Sequence, residues 1–355
     1  MNLDRYCAGL LAEGIAPGWT LLAGRGGRIG VSRVYGNLSR EPDERPLLPG
    51  TVYDLASLTK PLVTAMLVLM LLERREVALT DRLDRYLPAY PHPLSLESLL
   101  VHTSGLPAWA PLYLLNGDYL KALRGVSPGR PAGKRVEYSC LGYILLALVL
   151  ERVTGRPLAE LAREWLFAPL GLARTWFHVP RQRLAEVAPT ERGNQYERKL
   201  AEAGPWGQAA ASFPWRCGVI RGETHDGNSY YRGGTAGNAG LFADAPGVFR
   251  LACEAFPETT TLLRPDTAAL FWRNLTPRRR SPRSAGFAVL DPHPSIWATE
   301  IGHTGFTGTA VYLRREPAEV VVLLSNRVHP EVRPVDLRRV RRRLAVLVRR
   351  ELESP

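Results

Sequence analysis

Two pairs of β-prone runs stand at opposite ends of this chain, and they constrain its fold more than any other feature. Near the N-terminus, Trp19–Leu22 and Arg28–Tyr35 flank Gly24-Arg25-Gly26-Gly27, a hairpin signal. Near the C-terminus, Thr309–Leu313 and Val320–Leu324 are joined by a charged turn. Between them the pattern is mostly helical. Ser57 to Arg75 reads as one long apolar helix, Leu141–Val153, Leu158–Phe167 and Val248–Ala255 as further helices, and Gly204–Gly240 as a glycine-rich loop. Beyond the last run, Leu337, Val340, Leu344, Leu347 and Val348 share one helical face. The expectation is an α+β fold in which an antiparallel sheet is formed by the N- and C-terminal segments and flanked by helices. One domain spans 1–355, with its α/β part at about 1–80 and 240–355 and a mostly helical and loop part at about 81–239.

Composition narrows the classes. With 355 residues, 45% hydrophobic and 23% charged, the chain buries a core and is not disordered. No run reaches the roughly 18–20 apolar residues of a membrane span. The longest candidate, Pro61–Leu72, stops at Glu73-Arg74-Arg75-Glu76 and reads as a buried helix. Met1 to Tyr6 lacks the basic-then-apolar run of a signal peptide, so a cytoplasmic location is expected. A net charge of +12 and a pI near 9.9 raise the question of nucleic acid. Only Lys60, Lys121, Lys134 and Lys199 are lysines, so 42 of the 46 cations are arginine. They cluster at Arg278-Arg279-Arg280 with Arg283 and from Arg338 to Arg350, without a nucleic-acid motif or interleaved aromatics. A solvated basic face is expected, with no nucleic-acid partner. The tail helix is expected to pack its apolar stripe on the sheet. Cys7, Cys140, Cys217 and Cys253 show no C-x-x-C spacing, and neither a disulfide framework nor a metal site is indicated.

Three short segments carry chemistry. In Ser57-Leu58-Thr59-Lys60 the i and i+3 side chains share a helical face, so Lys60 reaches Ser57. A serine hydroxyl needs a base to become nucleophilic, and lysine serves if burial lowers its pKa, whereas arginine cannot release its proton. A lysine in so arginine-rich a chain fits that role. Tyr138-Ser139-Cys140 follows a Gly/Pro segment, and a tyrosine beside a lysine can shuttle protons. His303-Thr304-Gly305-Phe306-Thr307-Gly308-Thr309, expected at the start of a strand, offers glycines for close backbone approach and a histidine able to donate or to titrate near neutrality. Taken singly, each also fits a bland reading: a helix start, a packed loop tyrosine, a turn before an edge strand.

In this order the three resemble the S-x-x-K, Y-x-N and K-T-G motifs of the penicillin-binding-protein and class C β-lactamase superfamily of serine hydrolases. Asp54 to Pro61 looks like the nucleophile segment, Leu99-Leu100-Val101-His102-Thr103-Ser104-Gly105-Leu106-Pro107 like the turn after the first helices, and Val153 to Leu158 and Pro169 to Leu172 continue the likeness. Gly222 to Asn228, Gly233 to Phe242 and Ser325 to Pro330 resemble a branch with esterases and muropeptide amidases. The resemblance runs from about Pro17 to Pro330 and implies a β-lactamase/transpeptidase-like fold. It makes Ser57 the acylated nucleophile, Lys60 its base, Tyr138 the acid/base partner and His303 the counterpart of the motif lysine. The N–H groups of Ser57 and Phe306 would form the oxyanion hole, with Cys140, Thr304, Gly305 and His225 as substrate contacts. No cofactor is implied; the partner is a small ester, amide or muropeptide. Two departures stand out. Cys140 replaces the asparagine or aspartate of the second motif, and His303 replaces lysine, which implies weak or no β-lactamase activity. His102 is expected to cap backbone groups in a buried turn. His225 and Asp226, adjacent in a loop, could hold a substrate or a metal, but hydrogen bonds that stabilise the loop are the more expected role. The alternative to an esterase or amidase is a member that keeps the fold without turnover and binds a ligand or assembles, with Cys140 as its main support.

Overall fold

Gly26 and Gly27 both adopt positive φ, +54° and +75°, the backbone that lets a two-residue turn match the right-handed twist of its strands. They join β1 (Gly18–Arg25) to β2 (Arg28–Ser39). The computed structural model describes residues 2–115, 119–290 and 296–353. The remaining strands are β3 (Arg45–Pro46), β4 (Tyr53–Asp54), β5 (Thr175–Trp176), β6 (Phe242–Ala243), β7 (Ala288–Val289), β8 (Glu300–Thr304), β9 (Ala310–Arg314) and β10 (Glu319–Leu324). The order β3-β2-β1-β10-β9-β8-β7 forms one seven-stranded antiparallel sheet, and β4-β6-β5 a small second one. The first hairpin thus pairs directly with the last strand, Leu22 opposite Val322. The α+β architecture expected from the two ends is the one observed.

Alternation along these central strands sorts the core into two layers. Leu21, Ala23, Val321 and Leu323 face the N-terminal helix Leu3–Ala12 and the tail helix Leu337–Glu353. Leu22, Val320, Val322 and Leu324 face the opposite way, toward Met66 and Phe249 of the interior helices. All five residues of the expected apolar stripe in the tail helix are buried. Its arginines are not all solvated, however. Arg349 is buried between Glu319 (2.7 Å) and Glu300 (2.8 Å), and Arg341 is buried with its guanidinium on the Gly305 carbonyl (2.7 Å).

Several local expectations change. The run from Ser57 to Arg75 is not one α-helix but a 3₁₀ turn (Ala56–Leu58), a π-helical stretch (Lys60–Ala65) and an α-helix (Met66–Glu73). Pro61 removes one N–H from the ladder, and Thr64 spends its hydroxyl on the Gly237 carbonyl (2.7 Å). Ala56–Glu73 is long and apolar enough to cross a membrane, yet 83% of it is buried inside the fold, as a core helix requires. The glycine-rich segment carries two short helices, Gly207–Ala211 and Gly227–Tyr231. The Leu3–Ala12 helix has no counterpart in the sequence reading. His303 does not open a strand; it lies inside β8, and Gly305 to Thr309 form the turn into β9. The expected helices at 141–153 and 248–255 appear as Cys140–Thr154 and Ala245–Cys253, and 158–167 as Leu158–Ala162 running into a π turn.

Candidate active site

The turn that presents Ser57 is held from behind. Ala56 sits at φ +47°, a strained value for a residue with a Cβ. Its N–H donates to Asp54 Oδ1 (2.8 Å), while Asp54 Oδ2 accepts the His225 N–H (2.6 Å). From the next turn the fully buried Lys60 places Nζ 2.9 Å from Ser57 Oγ, 2.9 Å from the Asn238 carbonyl and 3.4 Å from Cys140 Sγ. The i, i+3 reading of Ser57 and Lys60 is met in three dimensions.

The expectation that burial lowers the Lys60 pKa needs correction. Burial is the largest influence and does disfavour the ammonium, but ionised Cys140 and Tyr138, with Asp226, outweigh it and move the pKa upward. Burial also raises the pKa of Tyr138 and of Cys140. Near neutrality both are therefore uncharged, and their hold on the Lys60 proton strengthens only as they ionise. The three groups titrate as one cluster.

Tyr138 enters the site just ahead of the helix Cys140–Thr154. Ser139 caps that helix, accepting from the Gly142 N–H and donating to the Pro107 carbonyl (2.7 Å). His102, at φ +59°, accepts the Ser139 N–H on Nδ1 (3.1 Å) and packs against the Tyr138 ring, 4.6 Å between centroids. It is the backbone-capping histidine expected. Burial, then Arg283 and Lys60, hold its pKa well below 6.5. The Tyr138 phenol interacts with both Lys60 and Ser57, and Lys60 Nζ lies 5.0 Å from its ring centroid.

The third segment is fastened onto the nucleophile turn. Thr307 donates to the Asp54 carbonyl (2.7 Å) and Thr309 to the Leu55 carbonyl (3.0 Å). Phe306 follows Gly305 and is gripped by His225 (5.4 Å between ring centroids), Tyr196 (4.8 Å) and the Arg327 guanidinium (5.0 Å). Thr304 is exposed at the strand end. His303 is buried, with Nδ1 on the Thr304 carbonyl (3.0 Å) and Nε2 without a partner among the described residues. Burial, Lys60 and Arg283 hold its pKa well below 6.5, so it is neutral and does not titrate near neutrality as the sequence suggested.

Ser57, Lys60, Tyr138, Cys140 and His303 thus converge, with the Gly305–Phe306 turn beside them. His225 does not join them. Its ring is buried behind Phe306 with Nε2 on Glu191 (2.9 Å), where it supports the turn. Burial opposes its charge, but Glu191, Glu197 and Asp54 outweigh burial and raise its pKa. Asp226 caps Ser229 and accepts from Asn238, the loop role expected of it. Glu191 escaped the sequence reading, and Asp54 and Asn238 entered it only inside longer resembling segments, with no role of their own. Arg283, its guanidinium 5.8 Å from the Tyr138 ring, appeared there only as part of a basic cluster. Among the described residues no three His, Cys, Asp or Glu side chains converge as a metal site needs.

Fold and site together define a serine hydrolase. The family model described as Beta-lactamase matches residues 3–345, and the chain belongs to that family. It is 28% identical over 327 residues to a putative D-alanyl-D-alanine carboxypeptidase of Escherichia coli, covering 80% of this chain and 70% of that protein. It is 27% identical over 366 residues to an N-acetylmuramyl-L-alanine amidase of Bacillus subtilis, covering 89% and 78%. Among solved structures, EstCE1, a hydrolase with promiscuous acyltransferase activity, superposes with a TM-score of 0.74 at 21% identity over 99% of this chain and 97% of that one. A class C β-lactamase gives 0.74 at 15% identity over 98% and 96%.

Proposed function

We propose that the chain hydrolyses small esters and amides through an acyl-enzyme on Ser57, with a muramyl-peptide amide as its natural substrate class. The observation that carries this reading is the 2.9 Å contact between Ser57 Oγ and a fully buried Lys60 that also meets Tyr138. One proton leaves the Lys60–Tyr138–Cys140 cluster, and Lys60 then accepts the Ser57 proton as Oγ attacks the acyl carbon. The N–H groups of Ser57 and Phe306 receive the developing oxyanion. Tyr138 passes the proton to the leaving group, the acyl chain stays on Ser57, and water releases it by the reverse route. Esters, whose leaving group departs readily, are expected to turn over faster than amides. The relatives named as an amidase and a carboxypeptidase support an amide of cell-wall origin. Cytoplasmic location is part of the proposal, and fractionation of the source organism tests it.

The reading in which turnover has been lost rested on Cys140, and the contacts of Lys60 weigh against it, since the amine reaches Ser57 with this cysteine in place. Steady-state hydrolysis of p-nitrophenyl butyrate, with chromatography of a muramoyl-peptide digest, tests both. Release of nitrophenol and of free peptide by wild type, and by neither with Ser57→Ala, is expected. Ester turnover without peptide release would retain the hydrolase and remove the muramyl class.

A further inference from the structure

Asn238 lies in the glycine-rich segment, far from the three motifs in sequence, yet it reaches Lys60 directly and touches Cys140 beside it. Its main-chain carbonyl accepts from Lys60 Nζ at 2.9 Å. Its side-chain Nδ2 donates to Asp226 Oδ2 at 3.1 Å, and the same amide interacts with the Cys140 thiol. The residue is fully buried, and its Oδ1 is enclosed without a partner among the described residues. The segment is pinned on both sides: Thr64 donates to the Gly237 carbonyl (2.7 Å) and Ser229 to the Ala239 carbonyl (3.2 Å). Asp226 is itself fixed, its Oδ1 taking the Ser229 N–H at 2.8 Å.

These contacts decide where the lone pair of a neutral Lys60 points. A neutral amine has two N–H bonds and one lone pair. Four groups surround it here: Ser57 Oγ, the Tyr138 phenol, Cys140 Sγ and the Asn238 carbonyl. The carbonyl can only accept, so it holds one N–H and turns the lone pair toward the hydroxyl side, where Ser57 Oγ lies. Sulfur is a weak acceptor, so the carbonyl is the stronger anchor, and the Asn238 amide steadies the sulfur from its other side. Asp226 holds that amide in register.

We propose that Asn238, braced through its side chain by Asp226, is the positioning residue for Lys60: its main-chain carbonyl is the stronger anchor for Nζ, where Cys140 offers only a weakly accepting sulfur. The proposal rests on the reading that Lys60 is the base for Ser57. It accounts for a cysteine at position 140 in a chain that keeps Ser57, Lys60 and Tyr138.

The test compares wild type, Asn238→Ala, Asp226→Asn and the double variant Asn238→Ala/Cys140→Asn. The readouts are kcat and KM for p-nitrophenyl butyrate and the rate of fluorophosphonate labelling from pH 6 to 9.5. Asn238→Ala keeps the main-chain carbonyl but removes the amide that Asp226 holds, so the carbonyl is no longer fixed against Lys60, and kcat is expected to fall by about 30–100-fold with KM within about threefold. The acid limb of the labelling profile should shift, and Asp226→Asn should do the same to a smaller degree. Asparagine at position 140 should recover at least about tenfold of the loss. Where Asn238→Ala does not fold, by its circular dichroism spectrum and melting curve, Asp226→Asn decides by the same two readouts. Wild-type kcat and an unmoved acid limb in the folded variants would overturn the proposal. So would a loss that asparagine at 140 does not recover and that leaves the limb in place, because that marks a purely structural role. Should wild type label at a residue other than Ser57, the underlying reading fails instead, so the two failures are distinguishable.

Discussion

Gly305 lies against Leu55 so closely that a Cβ on the glycine would stand 2.5 Å from the Leu55 carbonyl oxygen, and 2.1 Å from Thr309 Oγ1. The strand turn bearing Phe306 is thereby set against the turn bearing Ser57. Any side chain at 305 must push the two apart, since one obstacle is backbone. Gly305→Ala is expected to fold and to lose about 100-fold or more in kcat, the scale of one oxyanion donor withdrawn. Near-wild-type kcat in a folded variant would show that the Phe306 N–H is not used.

Lys60→Arg keeps the charge and removes the chemistry. A guanidinium stays protonated and cannot accept from Ser57. The kcat/KM for p-nitrophenyl butyrate is expected to fall by about 10²–10⁴-fold, the range of a general base. Retention of more than a few per cent would shift the base role to Tyr138.

The dependence on pH follows from the same cluster. Lys60, Tyr138 and Cys140 all have raised pKa values, the latter two by burial foremost, so at pH 7 the cluster holds its full complement of protons. One must leave before Ser57 can be deprotonated. The base form grows as pH rises, so kcat/KM should increase about tenfold per pH unit through the neutral and mildly alkaline range. His303, held well below 6.5 by burial and by its cationic neighbours, should add no limb between pH 6 and 8. A flat profile, or one that falls from pH 6 to 8, would contradict the cluster.

Much of this was legible in the sequence because its signals are local. The Gly26–Gly27 turn, the apolar stripe of the tail helix and the Ser57/Lys60 spacing each need only a few adjacent residues. Tyr138 and the Gly305–Phe306 turn were legible through their motifs. The rest depends on contacts with no local signature. Asn238 meets Lys60 through a main-chain carbonyl, which every residue type possesses. The carboxylate of Asp54 holds the Ala56 N–H, but it looks like any acid before a helix. His225 stood as a substrate contact through the resemblance and as a loop-stabilising group through its neighbours; only the fold shows Glu191 against its ring. The π-helical stretch after Lys60 resembles an α-helix in hydrophobic pattern, and it holds Pro61 and the contact of Thr64 with the distant Gly237.

Penicillins test the substrate side. A β-lactam carries a carboxylate, and the buried, neutral His303 offers it no positive charge at the position where the K-T-G motif it resembles has lysine. Benzylpenicillin is expected to turn over with a kcat/KM about 100-fold or more below that of p-nitrophenyl butyrate, and His303→Lys is expected to raise it. Efficient penicillin hydrolysis by wild type at neutral pH, followed at the β-lactam absorbance, would contradict this.

The central claim is that Ser57 carries the acyl group. Intact-mass spectrometry after treatment with a fluorophosphonate probe, followed by peptide mapping, tests it most directly. One adduct per wild-type chain, mapped to Ser57, with no adduct on a folded Ser57→Ala variant, is the predicted result. Equal labelling of the two proteins, or an adduct on another residue, would contradict it.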